Sequence, residues 1–223
     1  MAIPSYHEDM FADVQENLAR MFDFAICQLQ VEPGRFYDLF VESGYARRIA
    51  HGEPRACVGM SGTELARAVL DATGMPSAQV EPIFPDALGP MYWAGWALAD
   101  YQWRTGFSFE EIRTFAPFNR IVDLYPTFHE TDISRFLMRM ESWRHEAQPG
   151  TALKRYRVAR KMTQRQLAEV AGVSVRLLQD YEQGRRDINS AEAATVMILS
   201  SALGCTVEDL LERRFNPRTR RMI

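Results

Sequence analysis

The chain has 223 residues, 47% of them hydrophobic and 25% charged, with a formal net charge of −3. That length is enough for two domains with cores of their own. No apolar run approaches the ~20 residues of a membrane-spanning helix, MAIPSYHEDMF lacks a secretory-signal pattern, and the cysteines Cys27, Cys57 and Cys205 make neither a metal spacing nor an even disulfide set. The expectation is a cytoplasmic chain with buried free thiols, no metal, no cofactor and no membrane contact.

In chain order, residues 8–29 place Phe11, Val14, Leu18, Met21, Phe22, Ala25 and Ile26 on one stripe at helical spacing. Residues 34–49 form a second predicted helix, with Phe36, Leu39, Phe40 and Ala46 inward. Ser61-Gly62-Thr63-Glu64 is a capping box, so a third helix runs to about Thr73. Residues 75–90 hold four prolines and read as a long loop. Residues 92–105 are helical and aromatic, with Tyr92, Trp93, Trp96, Tyr101 and Trp103 filling the core or lining a ligand pocket or a partner groove. A short helix starts at Ser108 and stops before Pro117, and a last one spans 130–144. No stretch alternates at period two for long enough to be a strand. Residues 1–147 are therefore expected to be an all-helical domain, of a role that is partner binding, effector binding or dimerisation.

Gln148-Pro149-Gly150 punctuates the chain, and the charge changes sign there. Up to Gly150 there are 12 Lys and Arg against 21 Asp and Glu; from Thr151 there are 14 against 8. A basic segment behind an acidic one points to a polyanionic partner for that segment alone. Residues 152–161, ALKRYRVARK, read as a basic helix with Leu153, Tyr156 and Val158 to bury. In TQRQLAEVAGVSVRLLQDYEQG (163–184), Thr163 caps a helix whose inner face is Leu167, Ala168 and Ala171. Gly172 allows a left-handed turn that Val173 plugs, and Ser174 caps a second helix with Leu178 and Tyr181 inward. Ala168 is small where the two helices would cross. Ser190 is expected to cap a fourth helix ending at Gly204, and Thr206 a fifth. Two steeply crossed helices joined by a short glycine turn are the unit that lays its second helix in the major groove.

Residues 151–212 resemble the Cro/repressor-like, or XRE, helix-turn-helix family. The resemblance implies an all-α chain ending in a five-helix lambda-repressor-like DNA-binding domain at 151–214, with a basic tail at 215–223. It also implies double-stranded DNA as partner. Gln164 would hydrogen-bond a phosphate and brace the reading helix. Val175, Arg176 and Gln179 match the positions that face base edges, behind the Ser174 cap. Arg176 suits guanine O6 and N7, and Val175 a thymine methyl. Lys161, Arg165, Arg185 and Arg186 would contact the backbone. Asp180 departs from the usual neutral or basic residue: it can accept from cytosine N4, pair with Arg176 one turn away, or weaken binding. RRFNPRTRRMI holds five arginines and no acid, and is either a phosphate-touching arm or a solvated terminus.

The implied function is a sequence-specific transcriptional regulator, an autoregulating repressor acting as a homodimer on a two-fold operator. Met197, Ile198, Leu210 and Leu211 offer an apolar contact for pairing. The stretches YWAGWALADYQW and YPTFHETD resemble an uncharacterised helical domain of regulators encoded beside toxin–antitoxin genes. That resemblance implies the alternative of an antitoxin whose N-terminal domain neutralises a toxin or senses a signal. A third reading is enzymatic: Arg139 and His145 fit the loose Arg-x(4–6)-His spacing of HEPN ribonucleases, but no other catalytic constellation appears and the expectation is a non-enzyme.

Overall fold

The computed structural model describes residues 6–75, 80–84 and 88–212, and among them every regular element is helical. The chain divides into two compact units, one ending at Ala147 and the next beginning at Gln148.

In the first unit, α1 (Phe11–Asp23) is the central element and buries Val14, Leu18, Ala19, Met21 and Phe22. It does not stay α-helical to residue 29. After Asp23 the chain widens into a π-helical turn, Phe24–Gln28, that buries Phe24 and Ala25. Two helices approach α1 closely: α5 (Gly62–Ala72), opened by the Ser61/Glu64 capping box, and α6 (Pro90–Thr105). Glycine makes the approach. A Cβ on Gly62 would stand 2.5 Å from the Asn17 carbonyl oxygen, and one on Gly95 would stand 2.8 Å from that of Leu18.

The single helix expected over 34–49 is two: α2 (Pro33–Glu42) and α3 (Tyr45–Ala50), separated at Gly44, whose φ of 81° turns the chain. Short α4 (Pro54–Cys57) follows. Beyond α6 come α7 (Phe109–Phe115), which has the capping box Ser108/Glu111, then α8 (Phe118–Val122) and α9 (Tyr125–Phe128). The last helix, α10 (Ile133–Ala147), starts three residues later than expected, because the Asp132 carboxylate accepts from the Ser134 amide and sets the start. The aromatics are largely core. Phe22 stacks on Phe118 at 4.0 Å and meets Phe36, Tyr37 and Phe40 edge-on, while Tyr101 is fully buried. Parts of the proline-rich loop, 76–79 and 85–87, lie outside the described residues.

Among its described residues the second unit has five α-helices: α11 (Ala152–Ala159), α12 (Gln164–Ala171), α13 (Val175–Glu182), α14 (Ala193–Leu203) and α15 (Val207–Leu210). Leu153, Leu167, Ala168, Ala171, Leu178, Tyr181, Ile188, Val196, Leu199, Leu203 and Leu210 form its core. Three details depart from expectation. Val158 is 56% exposed, because the inner face of α11 is carried by Ala152 and Leu153 with Tyr156 half-buried. Ser190 does not cap α14: it closes a 3-10 turn begun by Asp187, and Glu192 is the residue before the helix. Leu210 is buried and offers nothing to a partner. Glu212 ties the ends of the unit together. Its carboxylate accepts from the Ala152 amide at 2.6 Å, and its backbone exchanges two hydrogen bonds with the Asn189 side chain. The basic tail, 215–223, lies outside the described residues.

Candidate nucleic-acid interface

The residues that start and stop α12 and α13 set the turn between them. Thr163 and Gln166 form a reciprocal capping box, so α12 starts at Gln164. Gly172 takes φ 63° and ends it, with the Val173 amide donating to the Ala168 carbonyl at 3.0 Å. Ser174 Oγ then accepts from the Leu177 amide at 3.1 Å and starts α13. Ala168, Leu178 and Tyr181 are buried where the helices meet, and Val173 packs against them half-buried.

The opposite face of α13 is open. Val175 and Arg176 are exposed, and Gln179 and Asp180 half-buried. Lys161, Arg165 and Arg186 are exposed around it. Among the described residues these cations and Arg176 form no ion pair. Asp180 does not pair with Arg176. Its carboxylate accepts from Arg185 Nε at 2.9 Å, five residues on and beyond the turn at Gly184. An arginine preceding an acid by four residues is the poorer order on a helix, whereas the turn swings Arg185 back onto the carboxylate.

Beneath this face lies an ion pair that the sequence reading did not identify. Arg157 on α11 donates through Nε and Nη2 to the two oxygens of Glu182, the second bond 2.8 Å long, and their side chains are 11% and 1% exposed. Arg157 Nη1 also donates to the Met162 carbonyl, which holds the segment leading into α12. The signal was present: Glu182 falls four residues after Leu178 on the inward stripe, where an acid needs a partner. Burial opposes the Glu182 charge, but hydrogen bonds from Arg157 and Gln164 outweigh it and hold the carboxyl below its ordinary range. Gln164 Nε2 donates to Glu182 Oε2 at 2.7 Å, and Gln179 Nε2 donates to Gln164 Oε1 at 3.3 Å. Gln164 thus links Glu182 to Gln179 on α13 through its amide.

The other candidates form no comparable site. Arg139 and His145 both lie inside α10, where six residues at about 100° each leave them about 120° apart around the axis. His145 instead has Arg144 Nη2 at 3.2 Å. Among the described residues no group of His, Cys, Asp or Glu is arranged to hold a metal, and no helix is long and apolar enough to cross a membrane. Of the free thiols, Cys57 is buried, Cys205 half-buried and Cys27 exposed on the π-helical turn, so the expectation of burial holds for Cys57 alone.

Comparison with known families agrees with this geometry. Residues 153–210 match the model of a helix-turn-helix family of the XRE type, which makes the second unit a DNA-binding regulatory module. No curated protein and no solved structure matches the chain, and the expected kinship of the N-terminal half finds no support.

Proposed function

We propose that this chain is a sequence-specific transcriptional repressor that binds a two-fold operator as a homodimer and controls its own operon. The observation that carries the reading is the open face of α13, with Val175 and Arg176 exposed and Gln179 half-buried beside them, among exposed cations that have no ion pair in the described residues. Arg176 contacts guanine, Val175 a thymine methyl, and Gln179 a further base edge. Lys161, Arg165 and Arg186 hold phosphates, and Gln164 and the Ser174 end of α13 fix the register. Arg185 joins them once it exchanges Asp180 for a phosphate.

One module covers too few base pairs for strong specificity, so pairing completes the site. Helix α14 supplies the surface. It carries no charged residue along its length, yet Met197 is 61% and Ile198 46% exposed. Such a face is ordinarily covered. A mobility shift on the DNA upstream of the chain's own gene tests the function. Binding that falls steeply between low and physiological salt is expected, and no shift at low salt would refute it. Met197→Glu with Ile198→Glu should yield a monomer in sedimentation and lose the two-fold site.

A further inference from the structure

We infer that the buried Glu182 sets which way round the amide of Gln179 faces, and thereby makes the base that Gln179 reads an adenine and not a guanine. The inference rests on the DNA-reading role of α13 proposed above. It follows from the polarity of three consecutive hydrogen bonds.

An ionised carboxylate only accepts. Glu182 is held ionised by Arg157, so the Gln164 amide must turn its Nε2 inward to donate at 2.7 Å. That leaves Gln164 Oε1 on the other side, where it can only accept. Gln179 meets it with Nε2 at 3.3 Å. The Gln179 amide is therefore oriented in its turn: Oε1 is left outward as an acceptor, with one N–H of Nε2 still to give. Adenine presents a donor at N6 and an acceptor at N7 and satisfies both. Guanine presents two acceptors, O6 and N7, and would leave Oε1 facing an oxygen. A free glutamine would turn its amide over and take either purine. Glu182 and Gln164 thus act as positioning residues for a base contact that neither need make.

The measurement is the ratio of affinities of the full chain for operators carrying A·T or G·C at the base pair read by residue 179, located by comparing wild type with Gln179→Met. Wild type should prefer A·T. Gln164→Met leaves the Arg157–Glu182 pair intact and should lower that preference about tenfold, beyond any uniform loss of affinity. Gln179→Met should abolish it, and Gln164→Met should then change it no further. Glu182→Gln, whose amide imposes no direction, should behave as Gln164→Met wherever thermal melting shows it folded. A Gln164→Met variant that weakens every operator alike but keeps the A·T to G·C ratio would overturn the inference, as would a wild-type preference for G·C at that pair. Wild-type protein without any sequence preference would remove the DNA-reading role itself, and the inference with it.

Discussion

Lys161 stands at φ 56°, a left-handed backbone that costs a side-chain-bearing residue about 1–2 kcal/mol. Glycine would relieve it, less the entropy it adds to the unfolded chain. Lys161→Gly should therefore stabilise the C-terminal unit by up to about 1 kcal/mol in thermal or urea unfolding. It should also weaken DNA binding uniformly, as loss of a phosphate contact does. Asp180 makes the opposite case. It occupies Arg185 and adds a negative charge beside the reading face, so Asp180→Asn should tighten binding to all sequences and steepen its salt dependence. Unchanged affinity would show that Arg185 takes no part. Glu182 ties stability to pH. Its carboxyl titrates lower folded than unfolded, so its stabilisation is complete above the ordinary value of 4.5 and lost as pH falls through the folded value. Acid unfolding of the C-terminal unit should begin below about pH 4.5 and be less steep in Arg157→Met/Glu182→Leu, which removes both charges together.

At the level of elements, what could be read from the sequence was set by local chemistry. Thr163, Gly172, Ser174 and Thr206 act through their own or adjacent turns, and the helices they bound lie where the caps put them. The break at Gly44 and the π-helical turn after Asp23 were not legible, because an apolar stripe keeps its spacing across a short interruption. Nor were α4, α8 and α9, each a single turn too short to show a period. The outward face of α13 was legible from spacing. The bonds beneath it were not, since Arg157 and Glu182 lie 25 residues apart and meet only in the folded unit. The clasp on α1 makes a prediction of its own. Gly95→Ala would press a methyl onto backbone atoms of Leu18 and Ala19, and Gly62→Ala onto those of Asn17 and Met21. Each should cost about 1–3 kcal/mol in denaturant unfolding, whereas alanine at Gly89, with nothing within 4 Å of its Cβ, should cost little.

For the whole molecule, the charge that favours DNA is unevenly placed. Residues 148–212 hold nine Lys and Arg against eight Asp and Glu, so the excess of the C-terminal half rests largely on the five arginines after Glu212. On the function proposed above, the described unit would read sequence with a handful of exposed cations, and the tail would add charge without sequence information. A full chain lacking 213–223 should keep its base preferences while its log–log salt slope becomes shallower by as much as about 4 per chain. Loss of preference together with affinity would assign the tail a reading role.

The most direct measurement is selection of duplexes from a random pool by the full chain and by Arg176→Ala. Wild type should enrich a two-fold motif with half-sites about one helical turn, roughly 34 Å, apart. Arg176→Ala should enrich the same motif with one G·C pair per half-site relaxed, a loss of about 1–3 kcal/mol at that pair. No enriched motif, or a motif identical for both proteins, would contradict the assignment of α13 as the element that reads DNA.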